Sequence, residues 1–471
     1  MKRHVAILMI ILIFIATCTV RAGEVAGSGA PKVAPETVPA DSKRASVSQK
    51  TTTYKMNAND ITTTKALTLQ DCYYLSLKQS ETIAINIDLI KETEAYFLQA
   101  LSQVLPHLWF RSIDQQQEDM KNALGSSTLQ SLKPAKYSER RFNVTQTLFN
   151  GFKAFAAIRA SKLGYKQRTD EKIRAEQLLL VDVSGAFYLL QELREDLDAL
   201  EVIKLALLKR IKELRDRESL GRSRPSEVVN AKAQLYSVEA TIEVVNSQEI
   251  VARHLLEFLT GKPVDEITDS YDMPASLMPE DYYVSKADLR PDVKSAKYAR
   301  DLAKEQSRVI DSEFLPNVYL DASYYTQRTG FNEGVDWDVM IKMDIPIFNG
   351  TETLGRSKEY KLKAHESELL FLRTRRKAPI DIKDAYVKLQ TALAVQEALR
   401  KAYTTAKLNY HLQRKDYERS LVNNLDVLAS IQTLENAQRD YIHALYEAKR
   451  LYWQLRVAIG EGIEGVPYDI I

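Results

Sequence analysis

The sequence predicts a mixed α/β membrane protein in which strands of membrane-spanning length alternate with unusually long helices. Three observations support this fold class: an internal repeat of about 200 residues, two spans of about seventy residues with few helix-breaking residues, and segments in which apolar and polar residues alternate. A repeat of this period is domain-sized. One structural unit therefore occurs twice in the chain, and the sequence is not a solenoid of short units.

The repeat is visible as paired phrases at a nearly constant offset. LFNG at 148–151 returns as IFNG at 347–350, and ESLGRSRPSEVV from Glu218 returns as RSLVNNLDVL from Arg419. Each copy also has a Leu-Pro pair ahead of an alternating segment. These phrases set the boundaries of two predicted hairpins, at Pro106 and Gly151 in the first copy and at Pro316 and Gly350 in the second.

The N-terminus has the pattern of a secretory signal. Two basic residues precede an apolar run at 5–16, which is too short to span a bilayer. We expect residues 1–22 to be a signal peptide that is cleaved after Ala22, with lipidation of Cys18 as the alternative. Residues 23–66, rich in Ala, Thr, Ser, Lys and Pro, are predicted to be a disordered leader.

Composition excludes several classes of function. Removal of residues 1–22 takes away three of the 65 basic residues, so the net charge becomes −1 and a nucleic-acid partner is not expected. Cys72 is then the one remaining cysteine, which excludes a disulfide framework and a cysteine metal cluster. The six histidines show no metal-ligand spacing, and neither a nucleophile motif nor a phosphate loop occurs. We therefore expect no catalytic site, no metal and no cofactor.

The long spans predict helices that pack side by side. Each of 151–221 and 350–420 is long enough for a nearly continuous helix of roughly 100 Å, at 1.5 Å per residue. Pro379 is expected to kink or break the second span. Apolar residues at heptad spacing predict coiled-coil seams in the first span and in the two helices that follow the spans. Representative seam residues are Leu200, Leu207, Leu214, Leu235, Val238, Leu256, Ile431, Leu434 and Leu455.

The alternating segments predict β-strands with one apolar and one polar face. From Trp337 onward, apolar residues expected to face lipid alternate with Asp338, Lys342 and Asp344, which are expected to face a lumen. Segments near 107–117 and 139–148 alternate more weakly, and the polar stretch 119–136 suits an extracellular loop. A soluble hairpin packed on the helices is the alternative. The predicted lipid-facing residues are Trp337, Val339, Ile341, Met343 and Ile345.

Four strands in one chain cannot close a barrel. Open sheet edges are not tolerated in lipid, and the smallest barrels need about eight strands. The strands must therefore be pooled between chains.

These elements predict an ordered division of the chain. A first repeat at 67–261 contains a helix capped by Thr68 that runs to Leu105, a hairpin at 107–148 and long helices. An inter-repeat segment at 262–285 precedes the second repeat at 286–460, whose hairpin is at 317–348. Residues 461–471 form a tail.

The order of these phrases resembles that of the TolC-like outer-membrane efflux proteins over nearly the whole mature chain. The resemblance lies in LTLQDC at the first helix, LP before each hairpin, LFNG and IFNG after them, and ADLRPDV at 287–293. It implies a homotrimer in which a twelve-stranded outer-membrane barrel continues as an α-helical periplasmic tunnel. Such proteins are exit ducts of tripartite efflux pumps or type I secretion systems, and they dock a periplasmic adaptor and an inner-membrane transporter. The cargo class, drug, metal ion or protein, stays open, and a periplasmic coiled-coil adaptor or scaffold is the alternative function.

The resemblance also implies a periplasmic gate formed by helix turns after the long helices. By motif it assigns Asp426 to a ring of carboxylates, Tyr417 to a position one turn earlier, and Glu227 to the acidic partner in the first copy. Val422 and Ala429 depart from the family pattern, where an arginine and a second aspartate are expected. The alternative is that Glu227 and Asp426 only stabilise helix N-termini. Asp292, in the Arg-Pro-Asp phrase of the second copy, is expected to stabilise the start of a helix.

Overall fold

The computed structural model describes residues 66–117, 136–271, 273, 276–330 and 332–463. The predicted signal peptide, the predicted leader up to residue 65, most of the predicted 119–136 loop and the last eight residues of the predicted tail lie outside these ranges. The described chain forms two compact units. One contains residues 96–159 and 305–360, and the other contains residues 66–95, 160–304 and 361–463.

Eight α-helices and four strands are present in the described part of the chain. The helices are α1 Leu69–Gln79, α2 Glu81–Ser102, α3 Lys153–Ser219, α4 Pro225–Thr260, α5 Glu280–Val284, α6 Pro291–Asp311, α7 Glu352–Glu418 and α8 Asn424–Ala458. The strands are β1 His107–Gln116, β2 Lys136–Asn150, β3 Asn317–Arg328 and β4 Trp337–Asp344. The predicted long spans are confirmed, because α3 and α7 each contain 67 residues.

The strands form one antiparallel sheet in the order β1-β2-β3-β4. The hairpins of the two copies are therefore joined through the β2–β3 pairing, while β1 and β4 lie at the edges. Residues directly opposite each other share a face of a sheet. The register places Phe142 with Tyr324, Ala322 with Val339 and Leu320 with Ile341, so one face is largely apolar.

The opposite face of the sheet carries a network of polar side chains. The Lys342 ammonium donates to Asp321 at 2.7 Å, and the Asn143 amide donates to the other oxygen of that carboxylate at 2.6 Å. The Tyr325 hydroxyl donates to Asp338 at 2.8 Å. The predicted alternation of faces along β4 is thus confirmed, and β3 alternates in the same way.

Two of the predicted strand limits are wrong. β4 ends at Asp344, so Ile345 lies beyond the strand and not on its apolar face. Pro346 accounts for this, because proline lacks the N–H group that a strand ladder needs. In the first copy β2 continues past residue 148 to Asn150, with an irregularity between Thr147 and Phe149.

Both hairpins are followed by the same tight turn, which explains the repeated Asn-Gly phrase. Gly151 and Phe152 have φ values of 64° and 65°, and Gly350 and Thr351 have 68° and 73°. Two consecutive left-handed residues favour glycine at the first position. Pro106 and Pro316 directly precede β1 and β3, and Gly151 directly follows β2, whereas Gly350 lies six residues after the end of β4 at Asp344.

One helix prediction is also wrong, and of the two outcomes expected at Pro379 the break does not occur. The helix capped by Thr68 does not run to Leu105: the chain takes an extended conformation at Ser80, whose N–H closes α1 and whose hydroxyl accepts from the Ile83 N–H at the start of α2. Serine competes with helix backbone in this way. Pro379 does not break α7, which is continuous from Glu352 to Glu418.

The core of the larger unit lies along the predicted seams. Leu200, Leu207 and Leu214 of α3 are fully buried and belong to the same apolar cluster as residues of α4 and α8. The Glu249 carboxylate, a polar residue in the α4 seam, is paired with Arg194 at 3.0 Å. Within the described ranges, no helix combines the length and the apolar composition needed to cross a membrane.

Candidate functional site

The predicted gate residues lie around two interhelical turns, 220–224 between α3 and α4 and 419–423 between α7 and α8, which we call the paired turns. Gly221 and Ser420 have φ values of 65° and 62°. The turns are adjacent, because the Asn424 amide donates to the Glu227 carbonyl at 3.5 Å and Gln234 approaches Gln432 at 3.2 Å. Helix ends from both copies of the repeat therefore meet here.

Asp426 is an exposed residue in the first turn of α8. Its carboxylate accepts from the Asn423 N–H at 3.0 Å, while the Asn423 side chain accepts from the Asp426 N–H at 3.1 Å. This reciprocal capping box satisfies two N–H groups that the helix leaves without partners. The helix-stabilising role is therefore present, and the charge also remains open to solvent.

Glu227 has a comparable place at the start of α4. It lies in the first turn after Pro225, and its carboxylate accepts from the Ser223 hydroxyl at 2.7 Å. Arg224, at the N-cap, makes no side-chain capping bond. The Glu227 charge therefore stabilises the positive end of the helix dipole.

Tyr417 is 6% exposed, and the face of its ring contacts two arginines of α3. The Arg210 guanidinium carbon lies 3.6 Å from the ring centroid and that of Arg217 lies 4.4 Å from it. The negative face of an aromatic ring attracts a cation, and this attraction stabilises such a contact. Tyr417 therefore attaches the last turn of α7 to α3.

Arg210 contacts the paired turns and is not among the residues predicted from the sequence. Its Nε and Nη2 atoms donate to the Asn424 amide oxygen at 3.0 and 2.9 Å, and Nη1 donates to Glu213 at 3.4 Å. Burial lowers the pKa of Arg210, although the nearby Tyr417 and Glu213 act in the opposite direction. The sequence signal that could have revealed it is a basic residue directly before Ile211, an apolar residue four positions after the seam residue Leu207.

The two positions that depart from the family pattern are placed differently. The Val422 side chain is partly buried against the apolar cluster, and Ala429 is exposed in α8.

Asp292, predicted to stabilise a helix start, lies in the first turn of α6 as expected. In the described ranges, no group of three or more His, Cys, Asp or Glu residues is arranged to hold a metal ion.

Comparisons with known proteins agree with this architecture. Residues 284–461 match the outer membrane efflux protein family. The chain is 27% identical over 255 residues to nodulation protein T of Rhizobium leguminosarum bv. trifolii, which covers 51% of this chain and 54% of that protein. It is 20% identical over 335 residues to outer membrane protein TolC of Vibrio cholerae, covering 68% and 75% respectively. The crystal structure of VceC, an outer membrane protein of V. cholerae, is similar with a TM-score of 0.72 at 20% identity, over 84% of this chain and 97% of that one.

The alignments cover different parts of the molecule. The chain spans about half the length of nodulation protein T and three quarters of that of TolC. The family match covers α6 to α8 with β3 and β4, whereas the likeness to VceC extends over elements of both copies. Four strands and very long helices in each chain are the shared fold. Residues 284–461 therefore belong to the outer membrane efflux protein family, and the chain has the fold of VceC.

Proposed function

We propose that the protein is the outer-membrane exit duct of a tripartite efflux pump or a type I secretion system. One observation carries the proposal: a four-stranded sheet with an exposed apolar face, a polar opposite face and two edge strands. Ile341 at 71% exposure is typical of the apolar face. Such a sheet fits a barrel wall with lipid on one side and water on the other.

The open edges of β1 and β4 favour a homotrimer. Backbone groups in lipid must all be paired, and four strands are too few for a barrel. Three copies supply twelve strands, and each edge β1 then pairs with an edge β4 of the next copy. The long helices of the same three chains form the periplasmic tunnel, and a periplasmic adaptor and an inner-membrane transporter deliver the cargo.

The paired turns are proposed as the gate of this duct. Threefold symmetry brings three copies of the exposed Asp426 carboxylate near one axis, which favours cations at the constriction. Tyr417 and the Glu227 turn hold the surrounding helices. The cargo, whether drug, metal ion or protein, depends on the transporter that the duct serves.

Fractionation and electrophoresis test the proposed assembly. The expected result is a heat-resistant trimer in outer-membrane extracts that forms ion channels in planar bilayers. A monomer in the soluble periplasm or in the inner-membrane fraction, without channel activity, would instead support the periplasmic adaptor or scaffold. Crosslinking to the inner-membrane transporter then identifies the pump.

A further inference from the structure

We propose that the apolar face of the sheet carries, near its hairpin loops, a binding site for the phosphate group of an outer-leaflet lipid, with Arg140 as the principal ligand. The proposal rests on the proposed function, because lipid meets this face only if the sheet is part of a barrel wall. It does not depend on the cargo or on the paired turns.

A row of aromatic side chains crosses the apolar face at one level. Phe110 lies opposite Phe142, and Tyr324 lies between Phe142 on one side and Trp337 on the other. Each of the four strands thus contributes one ring, and all four rings are between 41% and 58% exposed. Membrane barrels carry girdles of aromatic residues at the edges of their apolar band. These four residues, which we call the aromatic row, therefore mark one edge of the band.

The aromatic row lies at the end of the sheet where the hairpin loops are. β4 begins at Trp337, and β3 ends four residues after Tyr324 at Arg328. In the other direction the apolar face continues from Tyr324 to Val318, roughly 20 Å away at 3.3 Å per residue. The chain enters β1 and β3 from helices at that second end, and the helices of the proposed duct extend into the periplasm. The aromatic row therefore belongs to the outer leaflet.

Arg140 lies just beyond the aromatic row on the same face. It is two residues from Phe142 on β2, and it lies directly opposite Ser112 of β1 and Gln327 of β3. A hydroxyl, an amide and a guanidinium thus share one level, immediately outside the apolar band. This is the level at which the headgroups of the surrounding lipid lie.

The guanidinium of Arg140 is available for a ligand. Arg140 is exposed, and within the described ranges its side chain has no hydrogen-bonding or ionic partner. By contrast, Arg141 and Arg328 on the polar face both pair with Glu139. The charge on the apolar face is therefore left without a partner from the chain itself.

A lipid phosphate is the ligand that this place fits. The planar fork of arginine binds phosphate through two parallel hydrogen bonds, and the acyl chains of the same lipid can lie on the apolar residues below the aromatic row. A free phosphate ion would make no use of these apolar residues. Two residues beyond Ser112, the Asp114 carboxylate accepts from the Ser138 hydroxyl at 2.6 Å, and its charge opposes the binding of an anion. Lys136, farther out on the same face, is a second exposed cation.

Titration of the detergent-solubilised trimer with fluorescently labelled lipid A, a phosphorylated outer-leaflet lipid, tests the proposal. Excess chelator prevents divalent cations from bridging the phosphate to carboxylates. Arg140→Ser should weaken binding about tenfold, the effect of losing a hydrogen bond to a charged group. Arg140→Lys should retain most of the affinity, because the charge remains. Asp114→Asn should tighten binding about twofold, the scale of an exposed charge interaction.

Arg111→Ser is the matched control. Arg111 precedes Ser112 on β1, is also exposed, and lies opposite Arg141 on the polar face, so this variant should bind lipid A as the wild type does. Equal affinity of Arg140→Ser and the wild type, or an equal loss in Arg111→Ser, would refute the site. Lipid A without its phosphates should bind to Arg140→Ser and the wild type alike, and a difference there would show an apolar contact instead. Displacement of lipid A by equimolar inorganic phosphate would reveal a site for the free ion and would also overturn the proposal.

The assembly of each variant is checked by heat-resistant migration and by channel formation in planar bilayers. A wild type that forms neither trimers nor channels would refute the proposed function, whereas a conducting trimer with unchanged lipid affinity in Arg140→Ser would refute the lipid site alone. If Arg140→Ser does not assemble, Asp114→Asn provides the independent measurement. An affinity for lipid A that does not rise in Asp114→Asn would then count against the proposal.

Discussion

The guanidinium of Arg290 is 2% exposed and is neutralised mainly by one neighbour, Asp292. Nε and Nη2 donate to the two carboxylate oxygens of Asp292 at 3.0 and 2.7 Å, and Asp381 lies farther away at 3.5 Å. A third donor, Nη1, bonds to the Ala378 carbonyl in α7 at 3.3 Å. The phrase that opens the second copy is therefore a packing site between α6 and α7.

We expect Asp292→Ala to destabilise the protein by about 3 kcal/mol, the low end for breaking a buried ion pair, because Asp381 remains near the buried Arg290 guanidinium. Thermal unfolding in detergent measures the change. Asp288→Ala is the control: Asp288 also accepts two hydrogen bonds from an arginine, Arg375, but this pair is exposed and contributes little. Equal destabilisation by the two substitutions would contradict the assignment.

The same site predicts a pH dependence. Burial alone would raise the pKa of Asp292, but the hydrogen bonds and charge of Arg290 outweigh it and the pKa is lowered. The stabilisation is therefore fully present above the usual carboxyl pKa of about 4 and is lost as the pH falls through the lowered value in the folded protein. We expect the difference in melting temperature between the wild type and Asp292→Ala to shrink between about pH 5 and pH 2. A difference that stays constant over this range would exclude the ion pair as its cause.

The glycines after the two hairpins are equivalent in sequence but not in space. A Cβ atom on Gly151 would lie 2.6 Å from the Ser312 carbonyl oxygen and 2.8 Å from the Leu315 Cβ, whereas a Cβ on Gly350 meets nothing within 4 Å. Both positions have positive φ, which costs a non-glycine residue roughly 1 to 2 kcal/mol. We expect Gly151→Ala to lower the yield of heat-resistant trimer strongly and Gly350→Ala to lower it mildly. A larger loss of trimer for Gly350→Ala than for Gly151→Ala would show that contacts between chains, and not those within one chain, decide the yield.

Tyr417 contacts its arginines through the face of the ring. Phenylalanine keeps this face, so we expect Tyr417→Phe to conduct as the wild type does and Tyr417→Leu to have a raised conductance in planar bilayers. A raised conductance in both variants would indicate that the hydroxyl takes part in closure.

At the scale of elements, β4 offers a direct test of which face meets lipid. Ile341 lies on the apolar face, and its neighbour Met340 lies opposite Asp321 on the polar face. An arginine on a lipid face near the bilayer midplane costs about 2 to 4 kcal/mol, and one in a lumen costs little. We therefore expect Ile341→Arg to reduce trimer assembly in the outer membrane and Met340→Arg to leave it nearly unchanged. Equal tolerance of the two arginines would remove the lipid-facing assignment of Trp337, Val339, Ile341 and Met343.

In α7, a contact from another segment lies next to the proline that interrupts the helix hydrogen bonds. Pro379 cannot donate to the carbonyl four residues earlier, yet the helix is continuous. The buried Ala378 carbonyl accepts from Arg290, and Arg375 is held by Asp288. Packing of the segment 287–292 against α7 thus supports the helix in the turn that precedes the proline.

At the scale of the whole molecule, threefold symmetry in the proposed trimer would turn the exposed Asp426 carboxylate into a ring of charge. Asp426→Asn removes the charge but keeps an oxygen that can accept from the Asn423 N–H, so the capping box is preserved in part. We expect this variant to have a lower cation selectivity, measured as the reversal potential in a salt gradient. Glu243→Gln, an equal change of charge at an exposed site on α4 away from the paired turns, should leave the reversal potential unchanged. If Asp426→Asn also leaves it unchanged, the constriction lies elsewhere.

The sequence by itself determined the elements, because their signals are local. Glycines lie before both 67-residue helices and after the first of them, alternation marks β3 and β4, and the box of Thr68 with Asp71 starts the first helix. Pro346 is also a local signal that β4 ends before it. The prediction followed the apolar–polar alternation instead and extended the strand too far. Duplication of the phrases extended these predictions to both copies.

The tertiary structure alone decided the partners. Arg210 lies more than 200 residues from Tyr417 and Asn424, and nothing near it in the chain indicates which helix end it meets. The continuity of α7 through Pro379 likewise depends on what packs against that helix. Periodicity specifies the face that a helix buries, but hydrogen-bond partners depend on which faces are brought together in space, and that is a property of the folded chain.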